Sequence, residues 1–189
     1  MRMKPLGFTL FCVAFFGVAG FGYTKLMARI GSGAPPVEQA ADQQADGIVV
    51  YKADKQMQLL RDGKVLKSYP IAMGSHWNQG HKREEGDERT PEGRYVIDWR
   101  NPKSAAHLSL HISYPNNADS EAAASENRDP GGNIMIHGLP NGWGMLAPFH
   151  LLMDWTDGCI GVTNAHMQEI WSLVPTGIPI EILAGSRKI

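Results

Sequence analysis

Thr156-Asp157-Gly158-Cys159-Ile160-Gly161-Val162-Thr163-Asn164 is the stretch that decides how this chain is read. Gly158 permits a sharp turn directly before a thiol, and a helix pattern opens shortly after, at Asn164. Such a turn presents the sulfur and leaves the backbone N–H groups of Gly158 and Cys159 available to bind an oxyanion. The other cysteine, Cys12, lies in an apolar N-terminal run, so removal of that run leaves Cys159 as a lone thiol with no intrachain partner. From cysteine count alone the default is a buried small hydrophobe. The turn shifts the reading toward chemistry, because a lone thiol in an exported domain is a liability unless it pairs between chains or reacts.

A thiol nucleophile needs a base, since the thiolate is the reactive form. Of seven histidines, His137 is placed best: it ends the short apolar run Ile134-Met135-Ile136 and is followed by Gly138, which presents an imidazole at a sheet edge. His150 falls in a loop and His166 in the first turn of the helix. His76 and His81 sit in a polar stretch and read as solvated. His107 and His111 share a strand face but lack a further ligand at metal spacing, so no metal is expected.

Outward from the thiol the chain is mostly β. Ile48 to Tyr51 is a β-prone run, and Gln56 to Leu60 and Lys64 to Ala72 flank Asp62-Gly63, a dipeptide suited to a tight hairpin. Arg94 to Trp99 alternates with Tyr95, Ile97 and Trp99 on one face. Leu108, Leu110 and Ile112 alternate next, and Ile178, Ile180 and Ile182 form a last strand. One helix has Asn164 as N-cap and Met167, Ile170, Trp171 and Val174 at helical spacing. Ser120 to Arg128 is expected as a short surface helix within a long loop. The expected fold is mainly β, a sandwich or barrel with a few short helices. No internal repeat is visible.

Arg2 and Lys4 precede an uncharged, apolar run from Pro5 to Thr24. That is the export pattern, and the run approaches the roughly 20 residues that span a bilayer. Residues 1–27 are therefore expected as a signal peptide or an N-terminal membrane anchor, the rest of the chain facing an extracytoplasmic compartment. Residues 28–46 have too few apolar side chains to offset chain entropy and read as a flexible linker. The folded domain is expected over 47–189, long enough to bury roughly two-thirds of its surface.

Composition removes other classes. Lys+Arg 18 against Asp+Glu 19 leaves a formal charge of -1 with no basic cluster, which gives phosphate backbones little to hold and argues against nucleic acid. There is no phosphate-binding glycine motif either.

The residues Ile136-His137-Gly138, followed after a loop by Thr156 to Asn164, resemble the catalytic domain of the L,D-transpeptidases (the YkuD family). Thr90-Pro91-Glu92-Gly93-Arg94-Tyr95 is similar to that family's TP-x-G-x-Y pattern at the start of a strand. The likeness runs from about Ile48 to Leu183. It implies a β-sandwich-like fold, Cys159 as nucleophile, His137 as general base and acid, and no cofactor. It implies a bacterial envelope location and a peptidoglycan stem peptide as partner, with an amine or an envelope protein as acceptor. Gly158, Gly138 and Thr156 are the expected oxyanion and support residues, and Asp157, Trp143 and Asn164 the expected substrate contacts. Trp143, Trp155 and the Pro140 to Leu152 loop are candidates for a lid, or simply cap the core.

The sequence departs from the family pattern in three places. Asp157 stands where a His usually precedes the Gly-Cys pair, Gly161 where an Arg often follows the Cys, and the loop from His137 to Thr156 is longer than usual. An Asp157 facing the sulfur would raise the thiol pKa; pointing away, it would meet a substrate ammonium or a loop. Arg128, Arg94 and Lys103 are the cations available to replace the missing carboxylate contact. The activity expected is transpeptidation, the alternatives being L,D-hydrolysis of stem peptides or a non-catalytic peptidoglycan-binding module.

Overall fold

The structure, a computed structural model, describes residues 5–186, with side chains from residue 18 onward. A helix, α1 (Pro5–Ile30), leads into the β domain. Strand β1 (Gly47–Tyr51) pairs antiparallel with β2 (Gln56–Arg61), which turns back into β3 (Lys64–Pro70). The turn is the expected one: Asp62 and Gly63 both take positive φ, 49° and 72°, the handedness a two-residue hairpin requires. The remaining strands are β4 (Gly93–Asn101), β5 (Ser109–Ile112), β6 (Met135–His137), β7 (Ile160–Gly161) and β8 (Pro179–Leu183). Two short helices, α2 (Asn117–Ser125) and α3 (Asn164–Leu173), complete the domain.

The eight strands form one sheet in the order β3-β2-β1-β8-β4-β5-β6-β7. The first half of β4 pairs with β8 and its second half with β5, with a register shift between Ile97 and Arg100. That irregularity lets one strand serve both halves of the sheet, so the fold is mainly β and sandwich-like while remaining a single curled sheet. It curls far enough that its two ends meet: Ala72, just past β3, exchanges backbone hydrogen bonds of 2.9 and 2.8 Å with Gly161 of β7. Closure of this kind covers edges that would otherwise stay open.

The core gathers the inward residues of both halves, among them Val50, Leu59, Ile97, Leu110, Ile136, Ile160 and Ile182, under Met167 and Ile170 of α3. The alternation expected for β4 fails at Trp99. The register shift turns this ring outward, where it is 41% exposed and stacks on His111 at 4.7 Å. The cap of α3 also differs by one residue: Thr163 is the N-cap, its hydroxyl accepting from the His166 N–H, and Asn164 is the first helical residue. The surface helix appears as α2, with a reciprocal cap between Asn116 and Asp119.

The tract read as a linker is laid along the domain. Gly33 N–H donates to His107 O, Gln39 N–H to Ser172 O and Ala45 N–H to Leu173 O, each at 2.8 to 2.9 Å. Glu38 pairs with Arg100, and Ala45 is buried. These contacts use backbone groups, which composition does not reveal. The apolar part of the segment expected to be exported or anchored falls largely on residues 1–17, whose side chains lie outside the described residues. Among the described residues no helix is long and apolar enough to cross a membrane.

Candidate active site

Cys159 immediately precedes β7 and His137 ends β6, and these strands lie side by side in parallel, Ile136 opposite Ile160 and His137 opposite Gly161. The paired isoleucines both point into the core. By strand alternation Cys159 and His137 share the other face, diagonal to one another across the ladder. Two candidates separated in sequence thus come onto adjacent strands through one pairing, while the sulfur itself contacts Asn133 and Met135.

The turn before the thiol is built as its sequence implies. Gly158 sits at φ +111°, and a Cβ there would lie 2.5 Å from the Arg89 carbonyl oxygen, so only glycine fits. Thr156 is buried, and its hydroxyl donates to the Cys159 carbonyl at 2.7 Å, stapling the turn. The sulfur is half-buried; it accepts from the Met135 N–H at 3.4 Å and donates to the Asn133 carbonyl at 3.6 Å.

His137 has a defined tautomer. Its Nδ1 lies 2.6 Å from the Gly138 carbonyl oxygen, which can only accept, so Nδ1 carries the hydrogen and Nε2 keeps a lone pair. Burial lowers the imidazole pKa, opposed by that hydrogen bond. Burial raises the thiol pKa, and the Asp157 charge adds to it; the Met135 N–H and the Lys82 ammonium act the other way. The expected adverse influence of Asp157 on the thiol is therefore present.

Cys159 and Asp157 line a cavity of about 440 Å³ with Lys82, Glu88 and Asn133. Lys82 is the cation beside the sulfur, its Nζ bound to Asp87 Oδ1 at 2.8 Å and Glu84 O at 2.9 Å. Of the cations considered from sequence, Arg128 pairs with Glu84 and Glu126, Arg94 pairs with Glu181, and Lys103 is exposed; none lines this cavity. Nothing in the local sequence pattern around Lys82 marks it. Its place in the cavity lining is fixed by the Asp87 pairing within its own loop. His81 is likewise not solvated: its Nδ1 accepts from the Glu92 N–H and its Nε2 faces Asp119 at 3.0 Å.

The glycine in place of the family arginine has a packing explanation. A Cβ on Gly161 would come within 2.8 Å of the Trp155 ring, and that ring also packs edge-on against His137, centroids 5.5 Å apart. Trp155 therefore occupies the position a side chain at 161 would need. Gly138 is similarly hemmed in by Asn164 and His107. Asn164 turns its amide oxygen to the Leu139 N–H at 2.8 Å, tying α3 to the segment after His137. Trp143 is not brought to the thiol. It bonds Thr24 of α1 at 3.1 Å and lines a second, apolar cavity of about 390 Å³, which Trp155 also borders.

The YkuD family model, the L,D-transpeptidase catalytic domain, matches residues 45–182, a span that contains every element of the site just described. The chain belongs to this L,D-transpeptidase family. Among solved structures it is similar to the helical cell shape determining protein Pgp2 from Campylobacter jejuni, at 22% identity and TM-score 0.56, over 87% of this chain and 56% of that one. It is also similar to Bd1075 from Bdellovibrio bacteriovorus, at 22% identity and TM-score 0.52, over 82% of this chain and 54% of that one. At that identity the likeness is one of fold, and the chain spans a little over half the length of either protein. No curated protein matches the chain.

Proposed function

We propose that this L,D-transpeptidase family member acts on peptidoglycan stem peptides through a thioester at Cys159, in crosslinking or remodelling of the bacterial cell wall. The observation that carries the reading is the shared strand face of Cys159 and His137, with an imidazole whose Nε2 is free to take a proton. The Cys159 sulfur attacks the carbonyl preceding a terminal D-amino acid while its proton passes to His137 Nε2. The developing oxyanion rests on backbone N–H groups at Gly158 and Cys159. Collapse breaks the amide C–N bond, and His137 returns the proton to the leaving amine. An acceptor amine then attacks the thioester, gives its proton to His137, and the thiol is regenerated.

Asp157, Glu85 and Glu88 border the thiol cavity, where Lys82 is already paired with Asp87, so the lining suits a substrate ammonium. Residues 1–27 act as the export signal or membrane anchor that delivers the domain to the periplasmic or extracytoplasmic side. No cofactor takes part.

Mass spectrometry of the chain mixed with disaccharide-tetrapeptide and a D-amino acid, beside Cys159→Ala, tests this. Exchange of the terminal residue, lost in the variant, is the expected result. Terminal-residue loss with water added would replace transfer by hydrolysis. No thiol-dependent product would overturn both and leave a binding module.

A further inference from the structure

The loop between His137 and the thiol turn is pinned at both ends and apolar at its tip. Asn141 is buried, accepting from the His107 N–H at 2.7 Å and donating to Ser104 O at 2.9 Å. Asp154 accepts from Lys55 at 2.7 Å and from Trp77 Nε1 at 2.8 Å. Between them a 3₁₀ turn (Gly144–Phe149) and the residues after it leave Leu146, Phe149, Leu152 and Met153 in solvent, Leu152 at 77% exposure. No charged residue occurs between Asp129 and Asp154. A monomeric soluble domain rarely shows so many large apolar side chains on one short loop.

What covers this tip is indicated by the helix attached to it. Tyr23 donates its hydroxyl to Gly142 O at 3.1 Å and packs edge-on against Trp143 at 5.7 Å, while Trp143 bonds Thr24. Upstream of that junction the sequence is uncharged from Pro5 to Thr24, and immediately after it come Lys25 and Arg29, both exposed. Tyrosine and tryptophan favour the boundary between hydrocarbon and water, and lysine and arginine at the end of an apolar helix snorkel to the headgroup level on either side. The junction thus has the residue order of a bilayer surface, and the apolar tip is bonded to it.

The geometry points to residues 144–153 as a surface that rests on the outer face of the membrane beside α1, Leu146, Phe149, Leu152 and Met153 entering the headgroup and upper acyl region. The inference rests on the anchor part of the proposed function. Its consequence is that the domain does not swing on its tether: one side is held against the bilayer, and the apolar cavity under the tip, bordered by Trp155, lies between lipid and His137.

The test uses the full chain carrying Cys12→Ala and Cys159→Ala, with Leu152→Cys labelled by an environment-sensitive dye. It is reconstituted into phosphatidylcholine–phosphatidylglycerol vesicles containing nitroxide-labelled lipid. A second sample carries the dye at Lys64→Cys, on the exposed β2–β3 hairpin. Loss of most of the fluorescence at 152, with little loss at 64, is expected. Equal, weak quenching at both positions in chains that float with the vesicles would overturn the lipid seat and leave the anchor standing. Chains that do not float would overturn the anchor and the seat together. Quenching at 152 that gives way to dye–dye transfer as protein per vesicle rises would assign the tip to a second copy and overturn the lipid assignment.

Discussion

Burial is the largest influence on both Cys159 and His137, and it moves them in opposite directions, the thiol pKa up and the imidazole pKa down. At neutral pH a raised thiol pKa and a lowered imidazole pKa leave both groups neutral rather than as a preformed ion pair. In the proposed mechanism proton transfer therefore accompanies attack, with the imidazole neutral at pH values where an exposed histidine would be charged. The acid limb of kcat/KM is expected below the ordinary histidine range, and a limb within or above it would refute the neutral-pair description. The thiol's own titration is read by alkylation rate against pH. Asp157→Asn removes a charge that raises the thiol pKa, so the curve moves to lower pH; Lys82→Met removes one that lowers it, so the curve moves to higher pH. Curves that coincide with the parent in both variants would mean that burial alone sets the pKa. Cys159 and His137 stand out as candidates in the sequence because a thiol after a turn-forming glycine and an imidazole at a strand end carry local signatures. Lys82 carries none.

The turn from Thr156 to Gly161 is held by specific bonds and by one large ring. Thr156→Val keeps the volume and removes the hydroxyl that holds the Cys159 carbonyl. A loss of about 1–2 kcal/mol in urea denaturation is expected. Gly161→Arg restores the residue common in the family, yet here it must displace Trp155, with an expected cost of about 1–3 kcal/mol. Combining it with Trp155→Ala should be less destabilising than the sum of the two changes, because both act on one volume. Strict additivity in that cycle would show that the two residues do not compete for space. The reciprocity between a glycine and a tryptophan is visible only once β6 and β7 are paired, since neither residue is unusual by itself. The helix starts at the residue expected as its cap, for a related reason. Thr163 and Asn164 are both good caps, and the choice was made by Leu139, whose N–H draws the Asn164 amide away.

The curled sheet closes on itself at Ala72 and Gly161, the backbone next to the thiol. The candidate site therefore sits where the two ends of an eight-stranded sheet meet, and its geometry depends on the whole curl. The tract at residues 31–46 reinforces this from outside by bonding the backbone around His107 and the end of α3. Chains beginning at residue 47 should lose about 1–3 kcal/mol relative to chains beginning at residue 31, read as a lower urea midpoint. Equal midpoints would return the tract to the role of a passive tether.

Sequence by itself determined the class of the domain, the hairpin at Asp62-Gly63 and the existence of α3, and it singled out Cys159 and His137 as candidates. Each of these depends on local conformation or on periodic burial, which neighbouring residues specify. Tertiary structure alone decided that Lys82 lines the thiol cavity, that Trp99 turns outward and that the sheet ends join. These depend on which distant segments pack together, and the energy of such contacts resides in pairs of residues that no local pattern links.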